Sequence, residues 1–295
     1  MTVTPLDLDM LITYMRHSRT RILDVVDAQN DFMLPTGALA VHPDKGAREN
    51  ASEIIHPMGR FFDDLPEHAF DVALIKYDTH FADEYRQSPE SHLFPPHCLF
   101  GTAGWHLAVD ILPLASKFPA FFMAKNEFDM WGTNPTGVAR QSIRLNAPER
   151  AAYDNLFKVI PFEAGDNPAE LLTQPHHGIP RDDFMEPVVN SGTLVVLCGV
   201  ASDFCDRQAL LGYLARGATV IVADDLTRGI GGPASSVPET GTMRDVIAEV
   251  IESEPRYNGR LHCANSCDIA AALGVAQQRP FRPGTRLRPA EACCG

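Results

Sequence analysis

At 295 residues the chain is long enough to bury one large α/β core, and its length does not call for two domains. It carries 25 Lys and Arg against 38 Asp and Glu, a net charge of −13, with no basic stripe, which argues against a nucleic-acid or anionic-membrane surface. No apolar run nears the ~20 residues of a membrane span, the acidic N-terminal stretch does not read as a secretory signal, and seven scattered cysteines describe no disulfide framework, so a cytoplasmic protein is expected.

Residues 1–19 form an N-terminal extension with a helical apolar pattern at Leu6, Met10, Leu11 and Tyr14. Short apolar runs then predict strands at 21–26, 71–77, 119–124, 193–198 and 218–223. Between and after them, helices are predicted at Asn50–Phe62, at Trp105–Ile111 with a stop at Pro113, at Asp206–Arg216 and at Thr242–Glu252. Gly217 fits a C-cap. The alternation predicts an α/β fold: a doubly wound, mainly parallel sheet flanked by helices on both faces, in three Rossmann-like layers. A single domain over 1–295 is expected, with two additions. An insert at about 135–190, rich in proline and holding His176 and His177, reads as part helix (Pro148–Phe157) and part loop, folding over the site or into a subunit contact. A proline-rich basic tail spans about 279–295 and includes Cys293 and Cys294.

The chemistry-bearing residues stand just past strand ends. Cys198-Gly199-Val200-Ala201-Ser202-Asp203-Phe204-Cys205 takes a buried strand through a glycine turn to a cysteine at the start of a helix. Backbone N–H groups there lower a thiol's pKa and can receive an oxyanion. The strand at 21–26 ends in Asp27 and that at 119–124 in Lys125. Taken singly, either reads as a solvated loop residue. With Cys205 they place a carboxylate, an ammonium and a thiol at the sheet edge where ligands bind in open α/β folds. Asp78 and His80, two residues apart after the second strand, can face one side, and His97 comes next; one carboxylate and two imidazoles suit Zn²⁺, Fe²⁺ or Mn²⁺. Asp-x-His alone also fits a hydrogen-bonded loop histidine, and His92 and His106 read as surface groups or as support for the ligands. His262, Cys263 and Cys267 invite a metal reading too, but a helix capped by Ser266 or Asp268, packing Ile269, Leu273 and Val275, accounts for that stretch.

The stretches VVDAQNDFMLPTGALAV, KYDTHFADEY, LFPPHCLFGTAGWHL, AKNEFDMW and CGVASDFCDRQALLGYLARGATVIVADDLTRG resemble, in order, the motifs of the isochorismatase-like cysteine hydrolases, with the nicotinamidase branch nearest. The resemblance spans roughly residues 21–230. It implies a catalytic triad of Asp27, Lys125 and Cys205, an oxyanion site at the N–H groups of Ala201 and Cys205, and a cis peptide between Val200 and Ala201. It implies metal ligands at Asp78, His80 and His97, and leaves Cys98 and Cys198 structural. The implied activity is cleavage of a small amide through a Cys thioester, with Cys205 ionised beside Lys125 and one divalent ion, Zn²⁺ first and Fe²⁺ or Mn²⁺ next. Phe32, Leu39, Phe94 and Trp131 are candidates to pack on a planar substrate, and a homo-oligomer, dimer or tetramer, is expected. The chain departs from the branch where Phe94 replaces tryptophan, where Glu84 replaces a histidine, and in the segment after Lys125. Those departures keep a carbamoyl, ureido or other small amide open as substrate. A binding protein of the same fold is the reading from another class, and the complete triad speaks against it.

Overall fold

Eight strands build the sheet: β1 Thr20–Val26, β2 Val72–Asp78, β3 Ala120–Lys125, β4 Lys158–Phe162, β5 Ile179–Pro180, β6 Thr193–Val200, β7 Thr219–Arg228 and β8 Leu261–Ala264. Their order is β5-β4-β3-β2-β1-β6-β7-β8, in a computed structural model that describes residues 3–41, 50–132, 142–175 and 178–276. The expected tail at about 279–295, with Cys293 and Cys294, and the pair His176–His177 lie outside the described residues. β1, β2, β3, β6, β7 and β8 run parallel, while β4 pairs antiparallel with β3 and β5 with β4.

Alternate strand residues feed two apolar layers, as the period of two in a pleated strand requires. Leu23, Val25, Ala73 and Ile75 face the helices Leu8–His17, Ile55–Asp64 and Ser266–Ala276. Ile22, Leu74, Val195 and Leu197 face the helices Arg181–Val188, Cys205–Ala215 and Met243–Ser253. This is the doubly wound, three-layer arrangement expected, and the parallel topology brings the ends of β1, β2, β3 and β6 to one edge. Among the described residues no helix is long and apolar enough to cross a membrane.

Three expectations change. No helix forms at Trp105–Ile111: this stretch lies against residues 28–30, with Asn30 N–H donating to the His106 carbonyl and Ala108 N–H to that of Ala28, both at 2.8 Å. Pro113 opens the helix Leu112–Lys117 rather than stopping one, because its missing N–H costs nothing in a first turn. The described part of the insert holds the expected helix, as Ala147–Asp154 in place of Pro148–Phe157, but much of the rest is strand and helix where loop was expected. It runs through the helix Ala147–Asp154, β4, the helix Pro168–Thr173, β5 and the helix Arg181–Val188, extending the sheet beyond β3.

The N-terminal extension does form a helix, Leu8–His17, with the Asp7 carboxylate accepting from Met10 N–H at 2.8 Å and Leu11 and Met15 buried; Met10 itself is exposed. Tyr14 Oη lies 2.8 Å from His262 Nε2, and Leu6 N–H donates to the Cys263 carbonyl of β8 at 2.9 Å. Cys263 is buried and Cys267 exposed, so the two thiols do not converge. The helix Ser266–Ala276, which holds Cys267, takes its cap from Asn265 and not from Ser266 or Asp268: Asn265 Oδ1 accepts from Cys267 N–H at 3.0 Å, and Val275 is exposed rather than packed.

Gly217 has φ +95° behind the helix Cys205–Ala215, as a C-cap requires. Gly199 is held more tightly. Its φ is +134°, and a Cβ there would collide with the backbone of Val26 on β1. Gly199→Ala is expected to lose at least about 2 kcal/mol of stability in urea unfolding, since both the dihedral and the space forbid a side chain. Gly59→Ala, in the helix Ile55–Asp64 with nothing within 4 Å of the added methyl, is expected to gain roughly 0.5–1 kcal/mol in the same assay.

Candidate active site and metal centre

Three strand ends deliver the triad. Asp27 follows β1 at φ +47°, Lys125 closes β3, and Cys205 is the first residue of an eleven-residue helix after β6. All are buried, Asp27 at 0%, Lys125 at 1% and Cys205 at 6% exposure. Lys125 Nζ lies 2.7 Å from Asp27 Oδ2, 3.4 Å from Cys205 Sγ and 3.4 Å from Asp78 Oδ1. Burial alone would lower the ammonium's pKa, but Asp27, Cys205 and Asp78 outweigh it and hold the lysine well above its ordinary range.

Cys205 behaves differently from expectation. Burial, reinforced by the carboxylates of Asp27 and Asp78, pushes its thiol well up against the pull of Lys125. With only the protein's own charges around it, the thiol keeps its proton beside Asp27. A helix N-terminus and one ammonium do not offset desolvation together with two nearby carboxylates.

The peptide Val200–Ala201 is cis. Around it, Ser202 N–H donates to the Arg228 carbonyl, and Phe204 and Asp206 N–H both donate to the Ala201 carbonyl. Among the described residues, the N–H groups of Ala201 and Cys205 make no backbone bond of this kind.

Asp78, at the end of β2, meets both imidazoles: its Oδ2 lies 3.1 Å from His80 Nε2 and 3.2 Å from His97 Nε2. Ligand atoms bound at about 2.0–2.1 Å to one tetrahedral ion stand about 3.3 Å apart, so these spacings suit a divalent cation such as Zn²⁺. One donor atom from each residue lies within 4.8 Å of the others, and all three residues are buried. Asp78 Oδ2 and His80 Nε2 are buried and face each other inside this group, as befits atoms able to share one metal ion. His97 Nδ1 sits 2.8 Å from the Pro95 carbonyl, which leaves Nε2 as the ligand atom. The group is arranged to hold a divalent cation.

In the protein alone, protons take that role. Burial works against charge on His97, yet hydrogen bonds to Asp78 and Glu90 hold its pKa up at about 9. His80 is likewise held well above its usual value, against burial, by Asp78, Glu84 and Glu90. Burial would raise Asp78, but His80 and Lys125 keep its carboxylate well below the usual range.

Several contributors escaped the sequence reading, and Glu84 entered it only as a departure from the resembled branch. Glu90 is buried, 3.3 Å from His97 Nε2 and 3.6 Å from His80 Nε2. Glu84 faces His80 Nδ1 at 3.6 Å and accepts from Asn126 Nδ2 at 2.9 Å, tying the metal group to the residue after Lys125. Gln29 grips the Asp78 backbone from both sides, accepting from its N–H at 2.7 Å and donating to its carbonyl at 2.8 Å. Gln29 stands in the stretch VVDAQNDF, two residues past Asp27, so its buried amide had a signal; Glu90, an acid among polar residues, had none.

Of the four residues expected to pack on substrate, Phe32 lies against the His97 ring at 5.2 Å. Phe94 packs with Phe204 at 5.3 Å and Phe128 at 6.1 Å, and Phe128 meets Phe204 at 5.3 Å, a three-ring group that includes the residue before Cys205. Leu39 is half-buried against the first apolar layer. Trp131 is engaged elsewhere: Nε1 donates to the Ala209 carbonyl at 3.2 Å, its ring abuts Tyr213 at 5.0 Å, and the Arg216 guanidinium covers it at 3.8 Å. That indole is packing on the helix Cys205–Ala215, which replaces the stacking role expected for it. His92 and His106 are exposed.

No family model matches the chain, and no curated protein sequence does. Solved structures do match. A nicotinamidase and pyrazinamidase from Acinetobacter baumanii is 16% identical with a TM-score of 0.50, covering 85% of this chain and 98% of its own. PnC1 from L. infantum, in complex with nicotinate, is 17% identical at TM-score 0.49, covering 91% and 97%. A pyrazinamidase of Pyrococcus horikoshii, in complex with zinc, is 20% identical at TM-score 0.47, covering 83% and 99%. The mostly parallel eight-stranded sheet, flanked on both faces, is the isochorismatase-like α/β fold.

Proposed function

We propose that the chain is a metal-dependent cysteine amidohydrolase that cleaves a small amide, nicotinamide-like, to acid and ammonia. The observation that carries this reading is the Lys125 ammonium within 2.7 Å of the Asp27 carboxylate and 3.4 Å of the Cys205 sulfur. The fold shared with the Acinetobacter baumanii nicotinamidase and pyrazinamidase supports it.

Burial and the Asp27 and Asp78 carboxylates push the Cys205 thiol up, so Asp27 would take its proton as Cys205 Sγ attacks the amide carbon. The N–H groups of Ala201 and Cys205 would receive the oxyanion. Collapse breaks the C–N bond, Asp27 returns the proton to the leaving amine, and ammonia departs from a thioester. Asp27 then takes a proton from water as its oxygen attacks the thioester, the acid is released and the proton returns to Cys205. Lys125 stays charged throughout and holds Asp27 in place. A divalent ion on Asp78, His80 and His97 would supply a Lewis acid that anchors a substrate heteroatom. Phe32 and the rings of Phe94, Phe128 and Phe204 favour a flat aromatic amide over a carbamoyl or ureido substrate. Ammonia release from nicotinamide, pyrazinamide, carbamoyl amino acids and ureido acids tests this order; turnover confined to the last two classes would replace the substrate and keep the triad.

Cys205→Ala is expected to abolish turnover without loss of fold. Iodoacetamide will also label the exposed Cys267, so inactivation, not labelling, is the readout. Cys267→Ser should inactivate as the wild type does, and a protein that inactivates through Cys267 would remove Cys205 from the mechanism.

Metal binding should release protons. His97, at about 9 against an ordinary 6.5, stabilises the metal-free fold fully below pH 6.5, and that contribution fades as pH rises through 9. The metal needs the same nitrogen deprotonated, so zinc titration at about pH 7.5 should release protons, read by calorimetry in two buffers of different ionisation enthalpy. Zinc affinity should rise across pH 6.5 to 9. Binding without proton release, or unchanged metal content in His80→Ala by elemental analysis, would remove the imidazoles from the site.

A further inference from the structure

The segment 126–132, which leaves the end of β3, carries Phe128 between two fixed points. At one end the Asn126 side chain donates to Glu84. At the other, the fully buried Met130 has its Sδ 3.0 Å from Lys76 Nζ, and its carbonyl accepts from Arg181 Nη1. The same Nη1 also donates to the Gly132 carbonyl. Arg181 is 5% exposed and opens the helix Arg181–Val188. The rest of its fork meets Asp182 Oδ1, from Nε at 3.1 Å and Nη2 at 2.9 Å. Its own N–H donates to the Phe157 carbonyl at 3.0 Å, and Phe157 N–H to that of Ala124 on β3 at 2.8 Å.

One buried guanidinium thus satisfies two turn carbonyls while its position is set by β3 itself. A planar fork with donors in fixed directions can do this, and a single ammonium on a flexible stem reproduces it poorly. The described part of the inserted chain therefore reaches the segment 126–132 through that segment's backbone carbonyls.

We propose that Arg181 is a positioning residue for ring recognition: by tying the carbonyls of Met130 and Gly132 to the inserted segment, it holds Phe128 against Phe204 and Phe94 beside the nucleophile. This rests on the amidohydrolase reading for its substrate class. Arg181 touches none of the reacting groups, so its loss is felt in ring binding and not in bond cleavage.

The test compares full-length wild type, Arg181→Lys and Arg181→Ala. Nicotinamide and propionamide serve as ring and acyclic substrates, nicotinate as a ring ligand followed by calorimetry, and hydrogen exchange reports on the peptide covering 126–132. Arg181→Ala should raise KM for nicotinamide and weaken nicotinate by about tenfold or more, the size expected for lost bonds to a charged donor. Its kcat and its KM for propionamide should stay near wild type, with exchange faster in 126–132 and unchanged in the helix Cys205–Ala215. Arg181→Lys should fall between, and it decides the matter if the alanine variant does not fold. Equal losses on both amides, or unchanged exchange in 126–132, would overturn the proposal. A wild type that hydrolyses neither amide would remove the amidohydrolase reading alone, because nicotinate binding and exchange still judge Arg181; failure of the wild type to bind nicotinate would overturn the ring claim itself.

Discussion

A single buried ammonium organises the C-terminal edge of this sheet. Removing a lysine from water costs several kcal/mol unless anions surround it, and leaving it unpaired costs about 3–5 kcal/mol. Lys125 meets that demand with the carboxylates of Asp27 and Asp78, and the Cys205 sulfur lies 3.4 Å away. The strands deliver the partners directly: Asp78 and Lys125 are register partners across β2 and β3, and Thr79 N–H donates to the Lys125 carbonyl at 2.7 Å. Asp78 turns Oδ1 toward the ammonium and Oδ2 toward the imidazoles. Cys205 and the Asp78–His80–His97 group are therefore one electrostatic unit, in which a change of charge on either side is felt through a shared carboxylate.

Deeper in the same sheet a second pair repeats the theme without touching the chemistry. Lys76 on β2 meets Asp24 on β1 at 2.8 Å, with both side chains at 0% exposure. Burial raises the Asp24 carboxyl against the pull of Lys76, and burial likewise raises that of Asp206, next along the chain from Cys205. Such groups add little net stability but penalise alternatives. A one-residue slip of β1 against β2 would send Asp24 and Lys76 to opposite faces, each without its partner. The pair thus fixes the register that sets Asp27 beside Lys125.

Much of this was legible because apolar runs in the sequence stop at charged residues. β1, β3 and β6 could be placed from Leu23–Val26, Phe121–Ala124 and Leu194–Leu197, and parallel strands bring Asp27 and Lys125, just beyond their runs, to one edge with Cys205, which follows the turn after β6. The features that could not be read depend on approach in three dimensions. β4 and β5 carry Pro161 and Pro180, which argue against strands unless the strand lies toward an edge, and only the folded sheet shows that these do. Glu90 and Arg181 act on partners that are distant in sequence or on bare carbonyls, and neither leaves a pattern. The thiol was misjudged for the same reason: the helix N-terminus at Cys205 is local information, whereas the desolvation and the Asp27 and Asp78 carboxylates that oppose it are assembled by tertiary structure.

The closure of the first helix onto the last strand has a consequence for the order in which the molecule can be made. β1 emerges early yet stands mid-sheet, and its partner β6 is not synthesised until residues 193–200. The helix Leu8–His17 waits longer still, since Tyr14 and Leu6 find His262 and Cys263 only on the last strand. A nascent chain on the ribosome must therefore carry the buried faces of Leu11 and Met15 uncovered until residues 261–264 have emerged. Such non-local closure slows folding and prolongs exposure of apolar surface. During that interval the amphipathic first helix is the segment with most need of a chaperone.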